Sequence, residues 1–128
     1  MKKNLLGKAI FAGCVRNCER WLPKVLTNIE KYSSYFLKSH FIFIENDSTD
    51  NTKVILEKWY KNRNCSSINM DGLKNIPKRG LRLEAARNAY LKIIKDSNSL
   101  KKYDYLIVMD FDDANIFEIE KKNILKSI

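Results

Sequence analysis

Residues 103–115 read YDYLIVMDFDDAN, and how this stretch is parsed decides the fold. Tyr105–Met109 is an apolar run of strand length without polar alternation, the pattern of a strand buried on both faces, as in a parallel sheet. It ends abruptly in Asp110, Asp112 and Asp113, with Phe111 between them. If extended geometry persists through Asp110, the period of two puts Asp110 and Asp112 on one side and Phe111 on the other. Paired carboxylates suit a hard cation such as Mg²⁺ or Mn²⁺, which completes its shell with water and phosphate oxygens. Asp112 and Asp113 would equally favour the N-terminus of a following helix, whose dipole attracts negative charge. Asn115 and Glu118 have capping-box spacing for such a helix. By itself the stretch leaves metal site and helix start both open.

Working outward, two further apolar runs read as buried strands, Ala9–Val15 (AIFAGCV) and His40–Ile44 (HFIFI), with Ser66–Met70 (SSINM) as a weak fourth. Between them lie helical patterns. Leu22, Val25, Leu26 and Ile29 form a stripe with Pro23 near its start. Ile55 with Trp59 and Leu56 with Tyr60 follow the capping-rich segment NDSTDNT, and Leu83, Ala86, Tyr90 and Ile94 share a third helical face. The order β-α-β-α-β-α-β-α predicts an α/β fold, a mostly parallel sheet with right-handed crossovers and helices on both faces. Ligands of such sheets bind beyond the carboxyl ends of the strands.

The 128 residues suit a single domain, with no repeat, low-complexity segment or domain boundary. Apolar residues at 45% and charged residues at 30% mark a globular chain rather than a disordered one. A formal charge of +9 admits nucleic acid, phosphorylated metabolites and acidic membrane surfaces as partners. The lysines are scattered, however, which describes a solvated surface more than a patch. Three cysteines without CxxC spacing and a single histidine argue against a zinc site or disulfide framework, and a reducing, cytoplasmic setting is expected. No apolar run approaches the roughly 20 residues of a membrane span. The opening MKKNLLGKAIFAGCV imitates a signal peptide, but it continues into Arg16 and is better used as the first strand.

Two more segments carry candidate chemistry. In IENDSTDNT (Ile44–Thr52), turn and capping residues precede a helix, yet Glu45 and Asn46 fall at a strand's carboxyl end, where they could meet a nucleobase edge. In PKRGLRLEAARNAYL (Pro77–Leu91), Lys78, Arg79, Arg82 and Arg87 are the densest basic cluster and adjoin a helix N-terminus. With Arg16 they could hold a diphosphate, or they could simply be solvated or paired with Glu84. Gly7, Gly13, Gly72 and Gly80 match neither a dinucleotide-binding nor a P-loop motif. His40 reads as structural, and without a second histidine a Cys-His or Ser-His-Asp arrangement has little to build on, although Cys14 is near the proposed site.

Taken in order, AIFAGCVRN, FIENDSTDNT, RLEAARNAYL and YLIVMDFDDAN resemble the nucleotide-sugar-binding half of GT-A glycosyltransferases. The likeness is to family 2-type enzymes, with DFDD in place of their DADD-like motif. It extends to fungal capsule-associated α-1,3-mannosyltransferases, which have similar NSTDNT and LAALRN segments. The resemblance implies a Rossmann-like (GT-A type) fold binding a UDP- or GDP-sugar, with a glycan, protein or lipid acceptor. It implies a donor site of Cys14, Val15, Arg16, Glu45, Asn46, Asp47, Arg79, Arg82 and Asp110, and Mn²⁺ or Mg²⁺ held by Asp112 and Asp113 with Asp110 nearby. ENDS stands where family 2 has DDGS, so either Glu45 or Asn46 makes the base contact. The acceptor-binding half and catalytic base are not expected within these residues, which points to a fragment, a partner chain or donor binding without transfer. Nucleotidyl transfer and a non-catalytic basic module that binds nucleic acid or protein are the alternatives, though no nucleic-acid motif supports the latter.

Overall fold

A computed structural model describes residues 5–66 and 68–111. In chain order they form β1 (Leu6–Val15), α1 (Leu22–Ser33), β2 (Phe36–Glu45), α2 (Thr52–Tyr60), β3 (Ile68–Asn69), α3 (Arg79–Asp96) and β4 (Tyr105–Val108). Single 3-10 turns occupy Leu73–Asn75 and Leu100–Lys102. The strands make one sheet in the order β3-β2-β1-β4, and every pair is parallel. The α/β expectation is therefore met, while the helix expected from Asn115 lies outside the described residues.

In β1 and β2 the unbroken apolar runs are explained by burial on two faces, whereas β4, expected to be buried likewise, is the outermost described strand and leaves Leu106 and Val108 exposed on one face. Ala9, Phe11 and Val15 of β1 join Phe41 and Phe43 of β2 under α1 and α2, while Ile10, Ala12, Ile42 and Ile44 pack with Ala86 and Tyr90 of α3. Right-handed crossovers account for this division. Stepping from β1 to β2 to β3 keeps α1 and α2 on one face, and the return past β1 to β4 puts α3 on the other.

The helices use the predicted stripes. Leu22, Val25, Leu26 and Ile29 of α1 are all buried, and Pro23 lies in the first turn, where its missing N–H costs nothing. Between α1 and α2, Trp59 Nε1 donates to Glu30 Oε1 at 2.8 Å, and the Arg63 guanidinium pairs with the same carboxylate while lying 4.4 Å from the Trp59 ring centre. At the start of α2 the capping-rich segment does something other than cap from Asn51. Asn51 donates its side-chain amide to Glu19, and Asp50 Oδ1 accepts from the Thr52 N–H at 3.0 Å.

Strand limits shift where pairing, not composition, decides them. β2 begins at Phe36 rather than His40 because β1 offers it partners from Leu6 onward, even though Leu37 is exposed. The expected strand Ser66–Met70 shortens to Ile68–Asn69. Its neighbours still reach β2, through Ser66 N to Phe41 O at 2.9 Å, the Ser66 hydroxyl with His40 Nε2 at 2.8 Å, and Met70 N to Glu45 O at 2.8 Å.

The carboxyl end of β4 is locked onto β1 by a glycine and an aromatic. Met109 N donates to Ala12 O at 2.8 Å, and the Phe111 ring meets Phe43 edge-on at 4.7 Å between centres. A Cβ on Gly13 would stand 2.5 Å from the Met109 carbonyl oxygen and 2.9 Å from the Phe111 ring, so only glycine fits without a shift. Gly13→Ala is expected to cost about 1–3 kcal/mol through overpacking, and Phe43→Ala about 3–5 kcal/mol through a cavity. Equilibrium denaturant unfolding checks both, and wild-type stability of Gly13→Ala would show that β4 is not seated as described.

Candidate functional site

A cleft of about 380 Å³ opens where the chain's course reverses, between the carboxyl ends of β1 and β4 and beneath α3. That volume lies in the range of small-molecule sites, and the position is the switch point at which doubly wound sheets bind ligands. Cys14, Val15 and Arg16 come from the end of β1, Asn46 from just past β2, and Met109, Asp110 and Phe111 from just past β4. Arg79, Arg82, Leu83, Ala86, Arg87 and Tyr90 of α3, with Val108, complete the wall.

Of the sequence-derived candidates, Cys14, Val15, Arg16, Asn46, Arg79, Arg82 and Asp110 meet around this cleft. Glu45 and Asp47 stand elsewhere, and Asp112 and Asp113 lie outside the described residues. The two-residue period of β2 separates Glu45 from Asn46. Glu45, 5% exposed, sits on the α2 side, accepting from Asn69 Nδ2 at 2.8 Å and Ser48 N at 3.2 Å. Asn46 is 8% exposed and lines the cleft, its own N–H donating to Val15 O at 3.1 Å. Of the two residues between which the sequence left the base contact open, only Asn46 borders the cleft.

Asp47 works as a staple. It adopts a left-handed backbone, φ 52°. Its Oδ1 accepts from Gly72 N at 2.7 Å, and its Oδ2 from Lys74 N at 3.0 Å and Asn46 Nδ2 at 2.8 Å. Asp71 Oδ1 in turn accepts from the Asp47 N–H at 2.8 Å. The bonds from Gly72 and Asn46 hold the carboxyl well below its ordinary value, at about 2. Asp47 thus fastens the segment after β3 to the end of β2 and restrains the Asn46 amide.

Among the described residues the wall is mainly cationic: four guanidinium groups, from Arg16, Arg79, Arg82 and Arg87, share it with one carboxylate, Asp110. Arg82 Nη1 donates to Ile76 O at 2.7 Å, which directs the side chain along the first turn of α3. Arg87 hydrogen-bonds the hydroxyl of Tyr90 one turn on, and burial raises the pKa of that hydroxyl. Burial likewise pushes the Cys14 thiol up, with Arg87 opposing and Asp110 reinforcing the shift. Cys14 is therefore a neutral lining group at pH 7 and not a nucleophile. Arg87 belonged to the basic cluster legible in the sequence, but Tyr90 reads there as a core residue. The aromatic one helical turn after an arginine was the available signal. Among the described residues no group of three acidic, cysteine or histidine side chains gathers as a metal cluster.

Comparison with known proteins supplies the family. The sequence model of glycosyl transferase family 2 matches residues 14–124, and the chain belongs to that family. It is 29% identical over 107 residues to an uncharacterized glycosyltransferase of Mycoplasma pneumoniae, a match that covers 80% of this chain. The chain spans 31% of the length of that relative. No solved structure matches significantly. Among the described residues no helix is long and apolar enough to cross a membrane.

The depressed pKa of Asp47 has a direct consequence. Because the folded value lies below 3.8, the stabilisation is fully present above that pH and fades as pH falls through about 2. Thermal melts across this range are expected to show wild type more stable than Asp47→Asn near neutrality, with the gap closing between 3.8 and about 2. A gap independent of pH would refute the staple.

Proposed function

We propose that this chain carries the donor site of a glycosyltransferase and takes a nucleoside-diphosphate sugar, UDP- or GDP-linked, in the cleft between β1 and β4. The observation that carries the reading is the set of four arginines around a cleft at the sheet's switch point. Guanidinium forks match the paired oxygens of a diphosphate, and α3 adds the partial positive charge of its N-terminus beside Arg79. Asn46 offers an amide to the base or ribose, Asp110 reaches the ribose, and the Leu83, Ala86 and Val108 side chains exclude water from one side.

Mn²⁺ or Mg²⁺ fits the residue types at the end of β4. Asp110 borders the cleft, and Asp112 with Asp113 would supply the further oxygen donors that a hard cation prefers. When bound, such an ion neutralises charge on the leaving diphosphate. The sugar would pass to a hydroxyl of a glycan, protein or lipid acceptor. Cys14, protonated at neutral pH, is unsuited to deprotonate that hydroxyl, and no described residue is assigned the role.

Calorimetric titration of UDP, GDP and the corresponding monophosphates, each with and without Mn²⁺, tests the reading. Diphosphates are expected to bind more tightly than monophosphates and more tightly with the ion, and Arg79→Ala with Arg87→Ala to weaken them at least about tenfold. Binding that ignores Mn²⁺ and is unchanged in Asp112→Asn would remove the metal from the proposal. Failure of every nucleoside diphosphate, with RNA binding instead and falling steeply with salt, would replace it by a basic nucleic-acid module.

A further inference from the structure

The segment after β2 is bound to the segment after β1 along its whole length, more than a helix start requires. Asn17 N donates to Ser48 Oγ at 3.1 Å, and Thr49 donates to Asn17 Oδ1 from its backbone N at 2.7 Å and from its hydroxyl at 3.3 Å. Cys18 N donates to the fully buried Thr52 Oγ1 at 3.0 Å, and Glu19 N to Asp50 Oδ2 at 3.2 Å. Asn17 is also one of three non-glycine residues with positive φ among those described, at 45°. Asn tolerates this left-handed region better than most residues, and its short side chain can bond nearby backbone.

Arg16 lies between two pins. On one side the Val15 carbonyl accepts from Asn46 N at 3.1 Å; on the other, Asn17 is held by Ser48 and Thr49. Ser48 and Thr49 do not border the cleft, whereas Arg16 does. A long arginine loses much rotamer freedom on binding, so fixing where its backbone enters the cleft reduces what the ligand must order.

We infer that Asn17 is a positioning residue for the cleft: its left-handed turn and its bonds to Ser48 and Thr49 aim Arg16 at the diphosphate. The inference rests on the donor-site reading above and adds to it a residue that touches no ligand. It also gives the Ser48-Thr49 segment a role in affinity without contact. Asn17→Gly separates the two parts of the device, because glycine keeps the positive φ and loses the Oδ1 acceptor.

The test is a double-mutant cycle on UDP and GDP binding with Asn17→Gly and Arg16→Ala. Asn17→Gly is expected to raise Kd about fivefold to tenfold in the wild-type background and within about twofold in Arg16→Ala, the non-additivity of coupled residues. Ser48→Ala should behave like a weaker Asn17→Gly, with Ser48→Thr restoring wild-type affinity, and these two carry the cycle if Asn17→Gly does not fold. Equal effects in both backgrounds, or none, would overturn the inference while wild-type binding leaves the donor site standing. If wild type binds no nucleoside diphosphate, the donor reading fails and the positioning is read directly by ¹⁵N relaxation. The Arg16 amide should then be rigid in wild type and mobile in Asn17→Gly, and equal rigidity in the two refutes it.

Discussion

The structure depends on β1 being held between β2 and β4 with all three strands parallel. Parallel pairing sends every strand's carboxyl end to the same edge of the sheet. The chain leaves β1 toward β2 on one face and returns to β4 on the other, so among the described residues no connection covers the edge between β1 and β4. The cleft is the consequence. Gly13 makes the arrangement possible, since any side chain there would push against the Met109 carbonyl and the Phe111 ring.

Around that opening the work is divided by strand parity. Side chains facing α1 and α2 are aromatic and interlocked: Phe11 stacks with Phe41 at 5.6 Å, and Phe43 contacts Trp59 and Phe111 at 5.7 and 4.7 Å between ring centres. Edge and offset contacts of this kind specify orientation as well as burying area. The opposite face is smaller and aliphatic, with Ile10, Ala12, Ile42 and Ile44 under Ala86 and Tyr90. The stiff aromatic face supports the floor, and α3 with its arginines forms the wall. Phe111, which reads in the sequence as the residue between two aspartates, belongs to the first face and fixes the direction in which Asp110 leaves the sheet.

The polar residues after β1 and β2 are largely spent on each other. Glu45, Asp47, Ser48, Thr49, Asp50 and Thr52 all take part in hydrogen bonds within or between the loops. What reaches the cleft from these loops is Arg16 and Asn46. A cleft wall assembled from two loops needs such bracing, because each segment alone would present its side chain from a mobile chain. It also explains why a basic protein concentrates acids and amides here: ionised carboxylates and amides satisfy backbone N–H groups at the turns.

The α/β class, the three strong strands, the helical stripes and the arginine cluster were legible in the sequence because each is a local periodicity or a local density of charge. The resemblance in motif order supplied the family, since four short segments in sequence carry more information than any one of them. Strand limits were not legible, because Phe36–Ser39 become strand only by pairing with β1, and of the described residues of Ser66–Met70 only Ile68 and Asn69 are strand. Nor could the sequence separate Glu45 from Asn46, assign Asp47 to a distant turn, or bring Tyr90 to the cleft. Those assignments depend on which face of a strand a residue occupies and on contacts between distant positions, such as Asp47 with Gly72, 25 residues apart, and Asn17 with Thr49, 32 apart. Local sequence therefore determined which chemical groups stand at the strand ends. Tertiary structure decided which of them face the cleft and which hold the others in place, because that choice is made by sheet order and loop-to-loop hydrogen bonds.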